Sequence, residues 1–213
     1  MALASIRHIR YACHYINLYN ERTAMNRFSL LACCALICLP AWATDAPAVA
    51  TPQDAANLLL TRLGTALKQE MSTRGPVSAI SVCRDLAPKL AGEISRETGW
   101  KVTRVSLKPR NPMLGMADEW EQRQLLDFDT RARAGVAPAT LQQTAIVGMP
   151  TGKVQRYLKA IPVQTLCLSC HGSREQIPAD VSQALARDYP HDKATGYLEG
   201  MIRGAVSVTR PLD

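Results

Sequence analysis

The chain has 213 residues, 47% of them hydrophobic and 20% charged, a balance that suits one medium globular domain and excludes a multi-span membrane protein. Its formal net charge of +7 is dispersed, with no basic run or interleaved aromatics, so nucleic-acid binding is not indicated. Seven cysteines cannot all pair within one chain, and with only 5% aromatic residues the domain is short of bulky core side chains.

From Met25 the chain carries one positive charge at Arg27, an apolar run from Phe28 to Leu39, then Pro40 and Ala41-Trp42-Ala43. That order predicts a secretory signal peptide cleaved after Ala43, with translation starting at Met25. The apolar run falls short of the ~20 residues a spanning helix needs, so no membrane attachment is expected after cleavage. Residues 1–43 are therefore read as an upstream extension plus signal peptide, and 44–213 as one exported, periplasmic domain. With 21 basic and 17 acidic residues left, that domain carries +4; it loses Cys13, Cys33, Cys34 and Cys38 and keeps Cys83, Cys167 and Cys170.

Thr51 followed by Pro52 reads as an N-cap and first helical residue, and Ala55, Leu59, Leu63, Ala66 and Leu67 recur at helical spacing to about Ser72. Gly75-Pro76 resets the chain. A second helix runs from Val77 to Gly99 with Cys83 on its apolar face and a kink at Pro88. Trp100–Leu107 is strand-like, Lys108–Pro112 is a loop, and Asp118 caps a helix carrying Trp120, Leu125 and Phe128 to Gly135. Strands are predicted around Thr144–Met149 and Val154–Val163, joined by a hairpin at Pro150-Thr-Gly-Lys153. A helix near Asp180–Arg187 and a final strand near Ile202–Thr209 close the chain. Helices first and antiparallel strands after, without βαβ alternation or repeats, make an α+β domain.

Between the hairpin and the last helix stands Cys167-Leu-Ser-Cys170-His171, the C-x-x-C-H signature of covalent c-type haem attachment. Each thiol adds to one haem vinyl group, and the following histidine becomes the proximal iron ligand. Composition alone predicts roughly 0.004 accidental matches in a chain of this length. A thioredoxin-like dithiol would need a βαβ setting that is missing here. A zinc site could draw on Cys83, Cys167, Cys170 and one histidine, but lacks the usual second ligand pair.

Five ordered blocks carry a further resemblance: Ile80-Ser-Val-Cys83-Arg-Asp-Leu-Ala-Pro88, Val105-Ser-Leu-Lys-Pro-Arg-Asn-Pro112, Asp118-Glu-Trp-Glu121, Cys167-Leu-Ser-Cys-His-Gly172, and Asp192-Lys-Ala-Thr-Gly-Tyr197 with Arg203-Gly-Ala-Val-Ser-Val208. Over roughly 77–212 the chain resembles exported c-type haem domains of PAS-like fold, related to a cyanobacterial photosystem-associated haem protein. It departs from their pattern at Met113–Ala117 and at Met201. The resemblance implies one haem c, N-terminal helices packed on an antiparallel sheet, and Cys83 as the second axial ligand. On spacing alone Cys83 reads first as a small buried core residue, and Met113, Met116, Met149 and Met201 compete for the iron although a Met on a core face more often packs; His191 reads as a loop residue.

Lys108 and Arg110 are candidate partners for the haem propionates, with ordinary surface charge as the alternative. Trp100, Trp120 and Phe128 either line the haem or simply pack. The function expected is a redox-responsive or diatomic-gas-responsive haem-binding module, with a periplasmic electron carrier as the alternative. Ligation by an anionic thiolate would favour the ferric state and loosen on reduction. Its partners would be a small gas and a periplasmic redox or signalling protein. No enzymatic role is expected, because a peroxidase needs an open iron and a distal acid or base.

Overall fold

The computed structural model describes residues 49–212; the predicted signal peptide and the Met25 start lie outside the described residues. Helix α1 spans Pro52–Ser81 and opens on the expected cap: Asp54 N–H donates to Thr51 Oγ1 at 3.1 Å, and Thr51 N–H returns to Asp54 Oδ2 at 3.0 Å. It is bent at Gly75, whose φ of 79° suits a residue without a Cβ, and Pro76 restarts it. Buried Glu70 spans the bend, accepting from Arg74 at 2.6 Å and from the Ser78 hydroxyl. A π-turn, Val82–Leu86, then leads into α2, Ala87–Thr98, which stops at the left-handed Gly99.

Strand β1, Lys101–Val105, is followed by a one-turn helix α3, Pro112–Gly115, that the sequence reading treats as loop. Helix α4, Glu119–Arg133, starts at the Asp118 cap, and the hairpin pairs β2, Gln142–Met149, with β3, Gly152–Pro162. Then come α5, Leu168–His171, α6, Ala179–Asp188, and β4, Ile202–Leu212. The four strands form one antiparallel sheet in the order β1-β4-β3-β2. The fold is α+β, as expected.

Alternation along the strands gives the sheet two buried faces. Val102, Tyr157, Val206 and Val208 pack with Ala55, Leu59, Ala91 and Ile94 of α1 and α2. On the other face Val105, Leu158, Ala160 and Ala205 pack with Leu125 and Phe128 of α4. Among the described residues no helix is long and apolar enough to cross a membrane.

Candidate functional site

After β3 the chain is fastened at several points before it reaches the C-x-x-C-H motif. Val163 N–H donates to Met201 O at 2.8 Å, and Gly200 N–H to Val163 O at 2.9 Å. A short 3-10 turn, Thr165–Cys167, runs directly into α5. Beyond it, Tyr197 N–H bonds His171 O at 2.9 Å and Gly196 N–H bonds Gly172 O at 2.7 Å, so the 194–197 loop lies along the motif. Gly172 has no room for a side chain: a Cβ there would lie 2.6 Å from Leu168 O and 2.8 Å from Gln176 Oε1.

The motif's thiols face different packing. Cys167 sits against Val163, Ala194 and Tyr197; Cys170 sits against the cluster of Ile80, Val181 and Tyr189. Burial raises both thiols, Cys170 to about 11, and the nearby Cys83 adds to the rise in each. All three cysteines are free thiols, and among the described residues no three His, Cys, Asp or Glu side chains gather as a metal shell would require. The four-ligand zinc arrangement weighed from the sequence is therefore not assembled.

The His171 ring is set by its own hydrogen bond. Its Nδ1 lies 2.7 Å from Ala194 O, an acceptor only, so Nδ1 carries the proton and Nε2 keeps the lone pair. Arg203 Nε stands 3.2 Å from Nδ1 and 3.4 Å from Nε2; with Nδ1 protonated, only Nε2 can accept from it. Burial, helped by the Arg203 and Arg110 charges, holds the imidazole well below its ordinary pKa, in the neutral form. Tyr197 meets the ring edge-on, with centroids 6.2 Å apart.

His171 and Cys83 line one cleft of about 350 Å³, between the start of α2, the β1 edge and the β4 start, with Ala91, Leu114 and Tyr189 also in its wall. Cys83 reaches it from the π-turn, not from a regular helix as the apolar spacing suggests. Ala87 N–H bonds Val82 O, five residues back. The next bond of that register would run from residue 88 to Cys83 O, but Pro88 has no N–H. Arg104 Nη2 supplies the missing donor, 3.2 Å from Cys83 O. The kink expected at Pro88 thus appears as a widened turn just before it, a local irregularity that often marks functional sites.

The cleft is cationic. Arg84 is paired with Asp188 at 2.5 Å and Arg110 with Asp192 at 3.0 Å, whereas Arg104 and Arg203, among the described residues, have no carboxylate partner. Arg203 instead donates to Ser106 Oγ at 2.9 Å and Lys108 O at 3.3 Å, and burial pulls its pKa below the ordinary value. Arg203 opens the last block of the family resemblance but is given no role there, and Arg104 lies outside every motif; its signal is indirect, in the proline five residues after Cys83.

The other residues named from the sequence are placed as follows. Lys108 lies outside the cleft, donating to Thr195 O at 2.6 Å with its ammonium 4.5 Å from the Tyr197 ring centroid. Arg110 borders the cleft, but its guanidinium is held by Asp192 and by the carbonyls of Cys170 and Ala194. Met113, Met116, Met149 and Met201 are 43% to 89% exposed and none lines the cleft; His191 is exposed as well. Trp100, Trp120 and Phe128 pack in the two sheet layers, and the cleft's aromatic residue is Tyr189. A wider cavity of about 740 Å³, between the end of α4 and the 196–202 loop, holds neither cysteine nor histidine.

The sequence profile of the Tll0287-like family matches residues 43–211 of the chain. Among solved structures, the crystal structure of the cyanobacterial heme-protein Tll0287 is similar, with 28% sequence identity and a TM-score of 0.54. The match covers 76% of this chain and 90% of that one. No curated protein matches the sequence.

Proposed function

Because the chain belongs to the Tll0287-like family, whose profile spans residues 43–211, we propose that it is a haem-binding protein of the c type, with the haem seated in the His171–Cys83 cleft. One observation carries the reading: the same cleft is bordered by a free thiol and by an imidazole whose Nδ1 is tied to a carbonyl, so that Nε2 keeps the lone pair that iron would take in place of the Arg203 Nε contact at 3.4 Å. A haem-protein relative at 28% identity supports it.

The residues fit the group. Cys167 and Cys170 would form the thioethers, His171 the proximal iron bond, and Cys83 the distal one. Two arginines without carboxylate partners, Arg104 and Arg203, would answer the two propionates, a role the sequence reading gives to Lys108 and Arg110. When bound, haem supplies a one-electron iron couple and an affinity for diatomic gases. The protein's part is to hold His171 neutral and oriented, to present Cys83 from a turn whose carbonyl is tied to β1, and to keep the cleft cationic.

Export to the periplasm and a PAS-like frame belong to the same reading. We favour a redox-responsive or gas-responsive role over simple electron transfer, because Cys83 stands on a single π-turn, where the Arg104 side chain supplies the donor to its carbonyl that Pro88 lacks. A change of this turn from the π to the α register would point the thiol in a different direction.

The test is spectroscopic. Protein matured with haem should keep its red colour after acid-acetone extraction and give a c-type pyridine haemochrome. Cys83→Ser should change the ferric electron paramagnetic resonance spectrum and raise the potential; unchanged spectra would remove Cys83 from the iron. Carbon monoxide binding by the reduced protein supports the responsive role, and its failure to bind favours the electron carrier.

A further inference from the structure

Arg110 and Asp192 form a buried pair that neither the haem motif nor the propionate reading explains. Arg110 is 9% exposed, and its three hydrogen-bond partners all lead to His171. Its Nη2 donates to Cys170 O, in the peptide that precedes the histidine, and to Ala194 O at 3.3 Å. Ala194 O is also the acceptor of His171 Nδ1–H, so one carbonyl serves imidazole and guanidinium together, one on each lone pair. Asp192 completes the arrangement: Oδ2 takes Arg110 Nε at 3.0 Å, and Oδ1 takes Ala194 N–H at 2.7 Å, closing the turn that aims the carbonyl.

We propose, resting on the haem-binding reading above, that the Arg110–Asp192 pair is the positioning device of the proximal ligand, setting through Ala194 O how strongly the His171 Nδ1 hydrogen bond makes the imidazole a donor. A carbonyl that also accepts from a cation is a weaker acceptor for Nδ1–H, and a less polarised imidazole donates less to a metal. Asp192 offsets the Arg110 charge and so limits that effect. Each partner therefore pushes the site in its own direction. Loss of the Arg110 charge strengthens the His171 hydrogen bond and favours ferric iron; loss of the Asp192 charge does the reverse. Simple Coulomb effects of the two side chains have the same signs.

The experiment uses the full chain matured with haem, in wild-type form and as Arg110→Gln, Asp192→Asn and Arg110→Lys. Redox titration followed by visible absorption reads the ferric–ferrous equilibrium, and ferric electron paramagnetic resonance reads the axial field. Arg110→Gln should lower the potential and Asp192→Asn should raise it, each by about tenfold in the equilibrium constant, or about 59 mV for one electron. Arg110→Lys keeps the charge but cannot span three acceptors, so it should lower the potential part of the way toward Arg110→Gln and shift the resonance g values, whereas a purely Coulombic effect would leave both at wild type. A merely structural pair would lower stability without giving opposite signs. Shifts of the same sign, or none above about threefold, overturn the proposal. If Arg110→Gln does not accumulate, a rise in Asp192→Asn beside a lowered Arg110→Lys supports it, and an unmoved Asp192→Asn or an Arg110→Lys identical to wild type overturns it. A wild-type chain that takes up no covalent haem sinks the haem-binding reading and the proposal with it; loaded wild type with insensitive variants sinks the proposal alone.

Discussion

The face of the sheet opposite the cleft depends on one buried ion pair, and Arg156→Met tests it. Arg156 projects from β3 toward the first turn of α4, with Nη2 3.0 Å from Glu121 Oε1 and 2.7 Å from Asp118 Oδ2. The Arg156 and Glu121 side chains are 13% and 7% exposed, and the Ser207 hydroxyl donates to the same Glu121 oxygen at 2.6 Å. Removing the cation strands a buried carboxylate, a change that costs about 3–5 kcal/mol. The lower end applies here, about 3 kcal/mol, because Glu121 keeps two hydrogen bonds, from Ser207 and from Asp118 N–H at 2.8 Å. The exposed Asp118 adds at most about 1 kcal/mol. Methionine preserves much of the contact with Trp120, whose ring lies 4.5 Å from the guanidinium carbon, and removes Arg156 Nε, which is buried without a partner. For a domain of this size the loss corresponds to a Tm lowered by roughly 6–12 °C. Guanidinium unfolding should show a lower midpoint at unchanged slope. Adding Glu121→Gln removes the stranded charge and should recover about 2 kcal/mol. The haem spectrum should not move, because α4 lies across the sheet from the cleft. A loss below about 1 kcal/mol, or a double variant no more stable than the single, would refute the assignment.

Two further outcomes are expected. Burial raises the Tyr157 phenol from the ordinary 10.0 to about 12, with Asp54 adding to the rise, and its hydroxyl donates to Gln142 Oε1 at 2.6 Å. The unfolded phenol ionises near 10 and the folded one near 12, so its contribution to stability is complete below about pH 10 and fades as the pH rises through about 12. Absorbance titration at ~295 nm should lose one late-ionising tyrosine in Tyr157→Phe; an unchanged late phase would contradict the burial argument. Gly172→Ala should cut the yield of covalent haem several-fold, because the new Cβ would press on Leu168 O in the turn that carries Cys170 and His171. Normal haem staining per unit of protein would show that the turn tolerates it.

Elements whose cause is local were readable from the sequence. Thr51-Pro52 starts α1, Gly75 bends it, Asp118 caps α4 and Pro150 to Gly152 turns the hairpin, each through chemistry confined to a few neighbouring residues. The motif Cys167 to His171 is local in the same way, its spacing fixed along the chain and its residues carried by one short turn and α5. What stayed hidden depends on distant partners. The Val82–Leu86 turn needs Arg104, 21 residues beyond Cys83. The roles of Arg110 and Arg203 depend on Asp192, Ala194, Ser106 and His171, which only the tertiary fold brings near them. One-turn α3 is hard to read because four residues carry no periodicity, although Asn111-Pro112 is an N-cap signal.

The five blocks of sequence that carry the family resemblance do not all serve the cleft, and the sheet explains the division. Ile80 to Pro88, Cys167 to Gly172, Asp192 to Tyr197 and Arg203 meet around His171 or Cys83. Asp118 to Glu121 lies on the far face and holds α4 to β3 and β4 through Arg156 and Ser207. Strand β4 joins the two sets, since Ser207 faces α4 while Arg203 faces the cleft. Between them is Gly204, where a Cβ would stand 2.3 Å from Val105 O and 3.2 Å from Ser106 Cβ. The absence of a side chain there lets the β4 start close against the β1 end, which brings Ser106 within 2.9 Å of the Arg203 guanidinium beside His171. A sequence block that reads as strand is in this way also part of the site, through a glycine whose effect is on its neighbour.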